Sequence, residues 1–379
     1  MALLLNDEQT MLRDNARSFL AKNAPVAHLR KLRDDRDRDG FSRALWKEFA
    51  NLGWSGILVP PELGGLGLGH VEVGVVMEEC GRTLTPSPLL STAVVGATAI
   101  ARGGSDAQKK AYLPRIAHGD LIATLAIDET TKHRPEKTAL KASKTGSGFA
   151  LNGAKSFVLD GHVAELLIVA GRTSGEPGQA QGITLFLVDA KIKGLELERT
   201  VMVDAHNSAR LTFENVVLPA DSVLGEVGSG WSTLEGALNV GRAAAAAELF
   251  GAGEEAFAKT VTYLKERKQF GKIIGQFQAL QHRAANVYCE LEVTRSVVLR
   301  ALQALDESID SAGALVSAAK ARAGTSAGLA VQEAVQMHGG IGMTDEFDVG
   351  FYMKRVRALQ ELWGDANFHA DRLARLNHY

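Results

Sequence analysis

The chain has 379 residues, enough for two or three domains, and 46% of them are hydrophobic while only 6% are aromatic. It contains 42 Lys and Arg and 44 Asp and Glu, so its net charge is -2, and the basic residues are scattered along the chain. This distribution argues against a nucleic-acid-binding surface. The two cysteines, Cys80 and Cys289, cannot form a disulfide framework.

The N-terminal residues and the longest apolar run predict no export signal and no membrane span. Residues 1–7 lack a basic n-region and a long apolar core. The apolar run over residues 89–101 is too short and too rich in Gly, Ser, Thr and Ala to cross a bilayer. We therefore expect a cytoplasmic protein without membrane contact.

The first part of the chain is predicted to be helical. Asn6 and the carboxylates after it form a helix-start signal, and helical spacing of apolar residues continues to about Ile116. The glycine-rich stretch 64–69 follows Pro60 and Pro61 and no buried strand, so we reject a Rossmann-type dinucleotide loop there.

From Leu121 the periodicity changes to short apolar or alternating runs, such as residues 166–170, separated by turn signals such as Asn152-Gly153 and Asp160-Gly161. About a hundred residues of this kind between helical regions predict a small inserted β-barrel or sandwich.

Three long amphipathic helices are then predicted, over residues 231–264, 278–305 and 312–337. They indicate a C-terminal four-helix bundle whose remaining apolar faces favour oligomerisation. The predicted fold is mainly α with an inserted β domain. Its predicted domains are residues 1–118 (helical), 119–226 (β) and 227–379 (helical bundle).

The break between the first two long helices is the most informative stretch. Arg267 offers a planar fork suited to phosphate oxygens, Phe270 a rigid apolar surface, and Gly271 a turn without a Cβ. These residues fit a phosphate-bearing cofactor. The alternative from the residues alone is that Arg267 and Lys268 are solvated helix-end charges and Phe270 belongs to the core.

Several motifs together resemble the acyl-CoA dehydrogenase family over nearly the whole chain. They are Arg267-x-Gln269-Phe270-Gly271, Phe277-Gln278-x-x-Gln281, Gln336-x-x-Gly339-Gly340-x-Gly342, the N-terminal stretch 59–69 and the closing Gly364-Asp365.

The resemblance implies FAD as cofactor. Residues matching Arg267, Gln269 and Phe270 reach across a subunit interface to the pyrophosphate end of FAD in that family, and Phe277 of the next motif is also expected to bind the cofactor. Residues matching Gln336, Gly339 and Gly340 lie against the adenosine. The implied reaction is α,β-desaturation of an acyl-CoA thioester to the 2-enoyl-CoA, with an electron-transferring flavoprotein as acceptor.

The usual catalytic base is missing from this sequence. By spacing from Gln336, the position of the family's Glu is Trp363, and a second position used in some branches is Gly241. Asp365, two residues after Trp363, is the candidate replacement, with Glu361 and Glu235 as weaker alternatives. His338 and His206 lack the paired spacing of a metal site, so no metal is expected.

The β domain departs from the family pattern as well. Asp128 to His133 replaces the usual Thr/Ser-Glu-Pro segment, and Leu159 stands where the family has a hydroxyl that contacts the flavin. The motifs for the ADP end of the cofactor are intact, whereas those for its reactive ring are altered.

Three hypotheses follow. The chain is a complete dehydrogenase, a homo-tetramer with FAD at its interfaces, or it is a catalytically incompetent partner that completes the FAD site of a related chain in a hetero-oligomer. Lys155-Ser156, Asp160-Gly161 and Gly364-Asp365 resemble small subunits of bacterial heteromeric acyl-CoA dehydrogenases, such as the pimeloyl-CoA type. The third hypothesis, a helical scaffold without flavin, treats the motifs as coincidence.

Overall fold

The computed structural model describes residues 3–379. Its α-helices are α1 Asp7–Asn23, α2 Val26–Asp34, α3 Arg43–Asn51, α4 His70–Thr83, α5 Ala97–Gly103, α6 Asp106–Ala117, α7 Trp231–Glu266, α8 Gln278–Glu307, α9 Gly313–His338, α10 Val349–Glu361 and α11 Ala366–Leu376. Its strands are β1 Ala123–Ala126, β2 Lys141–Lys144, β3 Gly148–Leu159, β4 Leu166–Arg172, β5 Ile183–Asp189, β6 Leu195–Val201, β7 Asn207–Pro219, β8 Val223–Leu224, β9 Lys268–Gln269 and β10 Lys272–Ile273. This order confirms the predicted helical, β and helical arrangement.

The chain forms two compact units. The first contains the residues up to 34 together with 70–85 and 242–379, and the second contains residues 35–69 and 86–241. Each unit is therefore assembled from segments that are far apart in the sequence.

The first unit is a helical bundle centred on α9, against which α8, α10 and α11 pack. α9 can be central because its buried residues are mostly the small residues Ala, Gly and Ser, which let neighbouring helices approach closely. Phe250 of α7 joins the same core, where it packs with Val287 and Leu291 of α8 and Ala330 of α9. The predicted C-terminal bundle is confirmed.

The second unit contains one eight-stranded mixed sheet in the order β6-β7-β3-β2-β4-β5-β8, with β1 parallel to β4. Every residue of β4 is buried. This explains why β4 is a continuous apolar run rather than an alternating one.

The Asn152-Gly153 dipeptide lies inside β3, so the predicted turn there is wrong. The pairing of β3 with β7 shifts register between Leu151 and Gly153, and the pair occupies this β-bulge. A bulge tolerates the same residue types as a hairpin turn, and β3 continues through it as one long strand.

The glycine-rich stretch near residue 65 is explained by close backbone packing. It follows a 3₁₀ turn, Pro61–Leu63, and a Cβ on Gly65 would come within 2.0 Å of the Val59 carbonyl oxygen. Near the start of the chain, Asn6 caps α1 as predicted. Its side chain accepts the Gln9 backbone N–H at 2.8 Å, and the Gln9 side chain accepts the Asn6 backbone N–H.

Among residues 3–379, none of the helices combines the length and apolar character that a bilayer crossing requires.

Candidate functional site

A two-residue β-hairpin follows α7 and presents the Arg267 motif. Strands β9 and β10 pair antiparallel around Phe270 and Gly271, which both have positive φ, +55° and +79°. Two left-handed residues define the tight hairpin turn that matches the twist of its strands, and Gly271 adopts that conformation without strain. Phe270 adopts it at a cost of about 1–3 kcal/mol. The predicted turn at Gly271 is present, and it belongs to a hairpin rather than to a simple helix break.

The side chains of this hairpin point outward. Phe270 is 89% exposed, so it is not a core residue of the chain by itself, and its ring lies 6.2 Å from that of Phe277. The Arg267 guanidinium makes no hydrogen bond or ion pair with any of residues 3–379. Gln269 uses its side-chain N–H only on the neighbouring Lys268 carbonyl, at 2.8 Å. An unpaired guanidinium beside an exposed amide and an exposed aromatic ring is suited to an external ligand.

The second motif ends α9. Gln336 is exposed, and Gly339 and Gly340 follow at the helix end, where an added Cβ would meet no atom within 4 Å. Gly339 has a φ of +65°, a conformation that favours glycine, whereas neither packing nor a positive φ requires Gly340. Both leave the backbone open to close approach by another molecule.

The fold brings the two motifs together. Leu264, Ile274 and Met337 form a small core between them. The Tyr263 and His338 rings also stack at 4.3 Å. Arg267 and the end of α9 thus lie in one part of the first unit, which the sequence alone does not establish.

A groove of about 650 Å³ runs beside Arg267, with Tyr263, His338 and Phe347 among its lining residues. Its volume is in the usual range of small-molecule sites, about 300–1,000 Å³. The groove also carries four carboxylates, one of them on Glu266 next to Arg267, so the groove itself is not the part suited to phosphate. The residues present therefore fit the ADP end of FAD: an unpaired guanidinium, an outward aromatic ring and two open glycines.

The predicted base position lies in the turn between α10 and α11. Trp363 is 5% exposed and has a φ of +54°, and its carbonyl oxygen accepts a hydrogen bond from Arg242 Nε at 3.2 Å. An indole at this position cannot remove a proton from carbon.

The nearby carboxylates already have structural roles. Asp365 is the N-cap of α11, since its Oδ1 accepts the Phe368 N–H at 2.8 Å. Glu361 forms an ion pair with Arg357 at 2.9 Å. Capping explains Asp365 without catalysis, although a half-buried carboxylate so close to Trp363 keeps its proton-accepting chemistry.

Lys320 of α9 is a site residue that sequence reasoning missed. Its ammonium is buried and donates to the carbonyls of Leu359, Gln360 and Gly364, at 2.9, 3.2 and 3.1 Å. The sequence signal was a single lysine in an otherwise Ala-rich helix face.

In the second unit, the segment that the resemblance places near the flavin ring forms hydrogen bonds within the chain. The Leu159 carbonyl accepts the Thr124 hydroxyl, and Asp160 accepts the Ser91 hydroxyl, both at 2.6 Å. Phe157 is half exposed, with a φ of +53°. Leu159 supplies no side-chain donor, as predicted from its type.

A buried ion pair supports the segment that begins at Asp128. Lys155 Nζ lies 2.7 Å from Glu129 Oε1 and 2.8 Å from the Ile127 carbonyl, and burial lowers the pKa of Lys155. His133 is tied to Asp128 at 2.8 Å. Sequence reasoning singled out the segment but not the pairing within it. No cluster of three or more His, Cys, Asp or Glu within residues 3–379 is placed to bind a metal ion.

Comparison with known proteins matches this architecture. Family models for the acyl-CoA dehydrogenase N-terminal, middle and C-terminal domains match residues 6–120, 129–216 and 228–376.

The chain is 31% identical over 367 residues to a mitochondrial isovaleryl-CoA dehydrogenase of Pongo abelii, covering 93% of this chain and 84% of that one. It superposes on the butyryl-CoA dehydrogenase of Megasphaera elsdenii with a TM-score of 0.91, 26% identity and full coverage of both chains. A variant of the Tcur3481-Tcur3483 steroid ACAD gives a TM-score of 0.88 with 31% identity and 98% coverage of each chain. The chain therefore belongs to the acyl-CoA dehydrogenase family, FAD-dependent oxidoreductases of acyl-CoA metabolism.

Proposed function

We propose that the chain is a subunit of an acyl-CoA dehydrogenase that desaturates an acyl-CoA thioester to the 2-enoyl-CoA, and that it contributes to the FAD site of a related chain without supplying a base itself. The observation that carries this proposal is the turn after α10, where Trp363 is buried at the position that the family resemblance assigns to the base and Asp365 caps α11.

The chemistry explains why that turn decides the role. Desaturation requires a carboxylate that removes the α-proton, and bound FAD supplies the acceptor for the hydride from Cβ. Arg267 and the hairpin residues Gln269 and Phe270 remain available for the ADP end of the cofactor, as do Gln336, Gly339 and Gly340. Phe277 lies beyond the hairpin and packs, partly buried, against the core of Leu264, Ile274 and Met337.

The relatives support a two-chain assembly. The Tcur3481-Tcur3483 steroid ACAD, at 31% identity, carries two gene products in its name. We propose by analogy a hetero-oligomer in which a related chain provides the Glu, with an electron-transferring flavoprotein as the acceptor and a cytoplasmic location.

A second candidate is a self-sufficient homo-tetramer in which Asp365 is a displaced base. It is favoured by the half-buried position of Asp365, two residues after Trp363. Relatives named isovaleryl-CoA dehydrogenase, with no second chain in the name, agree with it.

The colour of the purified chain tests the choice between these candidates. We expect a colourless or substoichiometrically yellow protein alone, and one that gains stoichiometric FAD when co-purified with a related chain that carries the Glu. Stoichiometric flavin in the chain purified alone would contradict the partner-dependent assembly. Pull-down from the native host would supply the partner chain.

The outward hairpin also predicts an oligomer in solution. The Arg267 guanidinium has no hydrogen bond or ion pair within residues 3–379, and the Phe270 ring is 89% exposed although it touches Phe277. The helical bundle also favours association through apolar faces. We expect light scattering to report a dimer or, more fully assembled, a dimer of dimers. A stable monomer with bound flavin would show that no neighbouring chain is needed for the site.

A further inference from the structure

Two buried cations bind the end of α10 and the turn that follows it, residues 359–365. Lys320 comes from α9 and is 2% exposed, and Arg242 comes from α7 and is fully buried. Both side chains donate to backbone carbonyls of this turn.

The carbonyls at the end of α10 can be accounted for one by one. A helix leaves its last four carbonyls without a helical partner. Here the Ala358 carbonyl still accepts the Leu362 N–H in the last helical bond, and the Glu361 carbonyl accepts the Gly364 N–H, both at 3.2 Å. The two carbonyls between them, of Leu359 and Gln360, are the ones taken by Lys320.

Both cations also donate to carbonyls just after the helix end. Arg242 holds the Trp363 carbonyl, and Lys320 holds that of Gly364. A cation is favoured at a helix C-terminus by the helix dipole, and a buried carbonyl needs a donor. Lys320 therefore satisfies the helix end and fixes the next turn with one ammonium group.

We propose that Lys320, together with Arg242, is a positioning residue that fixes the backbone at residue 363 and thereby sets where the side chain at the base position is presented. We call these contacts of Lys320 and Arg242 with the carbonyls of residues 359–364 the clamp. All of them lie within a single chain. The clamp therefore holds whether residue 363 marks an abandoned site or Asp365 has become the base, and its test is separate from that of the proposed function.

The protonation state of Lys320 adds a measurable signature. Burial first, and then the nearby Arg242, lower the pKa of Lys320 to about 7, and Glu361 and Asp365 oppose this shift. His369 of α11 also lies close to Gly364. An ammonium has three hydrogens for the three carbonyls, whereas a neutral amine has only two. The clamp should thus be complete below about pH 7 and weaker above it.

Hydrogen exchange with mass spectrometry on the full-length protein tests the clamp. The Lys320→Met variant keeps an unbranched side chain of similar length but removes its hydrogen-bond donors. In this variant we expect the peptide spanning residues 359–365 to lose about 10- to 100-fold of its protection against exchange. Peptides from α8 should be unchanged. Lys354→Met is the matched control, because Lys354 lies on α10 over the Phe351 ring and should leave the turn protected. Unchanged protection in Lys320→Met, or an equal loss in every helix, would overturn the proposal.

The unmodified protein provides a second measurement in case Lys320→Met fails to fold. After correction for the intrinsic pH dependence of exchange, protection of residues 359–365 should fall several-fold between about pH 6 and about pH 8.5. Protection of residues 359–365 that does not change with pH in the unmodified protein would refute the clamp. The same fall in protection in a folded Lys320→Met variant would also refute it, because the fall would then come from another group such as His369.

Discussion

An oligomer of this chain alone, reconstituted with FAD, is expected to be reduced by acyl-CoA at least about 100-fold more slowly than a family member with Glu at the base position. General acid–base groups contribute about 10²–10⁴-fold to such reactions. Trp363 cannot replace that contribution, and the Asp365 carboxylate is engaged with the Phe368 N–H. Anaerobic stopped-flow bleaching of the flavin absorbance measures the rate directly.

Two substitutions at Asp365 separate a base from a helix cap. Asn and Asp are nearly equivalent N-caps, so Asp365→Asn should leave stability almost unchanged while it removes the proton acceptor. Asp365→Ala removes both functions and should cost about 1 kcal/mol of stability. If the chain alone bleaches its flavin at an ordinary rate, and Asp365→Asn abolishes this while FAD stays bound, Asp365 is the base and the partner-subunit proposal is wrong.

If the chain is inert alone, a related chain that carries the Glu should restore activity. The Asp365→Asn change should then have little effect on the mixed assembly, because its base comes from the other chain. This result would assign Trp363 to a site that no longer catalyses, while Arg267 and Gln336 still serve the cofactor.

Features that depend on local sequence were predictable. The turn at Gly271 follows from the glycine itself, although the hairpin around it was not predicted, and the cap of α1 follows from Asn6 and Gln9. The buried β4 was visible as a continuous apolar run. In each case the deciding interactions lie within a few residues, so pattern and propensity are sufficient.

Features set by distant segments were not predictable. Lys320 is one polar residue in an Ala-rich helix, and its role appears only when α10 ends above it, about 40 residues later. The same holds for Arg242, whose partner carbonyl is 121 residues away. Asn152-Gly153 fits a turn or a bulge equally well, and only the pairing of β3 with β7 distinguishes them.

The guanidinium of Arg267 carries the other large expected effect. Arg267→Ala should weaken FAD binding by about 1.5–3 kcal/mol, or about 10- to 150-fold in Kd, because a charge-assisted contact to the pyrophosphate is lost. No residue among 3–379 pairs with this guanidinium, so its removal should leave folding stability nearly unchanged. The loss can be measured as the FAD content and Kd of a flavin-containing preparation, either the homo-oligomer or the complex with a related chain.

Two controls make this measurement specific to the phosphate contact. Arg267→Lys keeps the charge but loses the planar fork, so it should bind FAD with intermediate affinity. Arg283→Ala removes an exposed arginine of α8 that is paired with Glu333 at 2.6 Å, and it should leave the flavin in place. If Arg267→Ala keeps full FAD occupancy and affinity, the outward guanidinium does not hold the pyrophosphate. The surface that contacts FAD would then have to be sought among the other motif residues, beginning with Gln336 and the open backbone at Gly339 and Gly340.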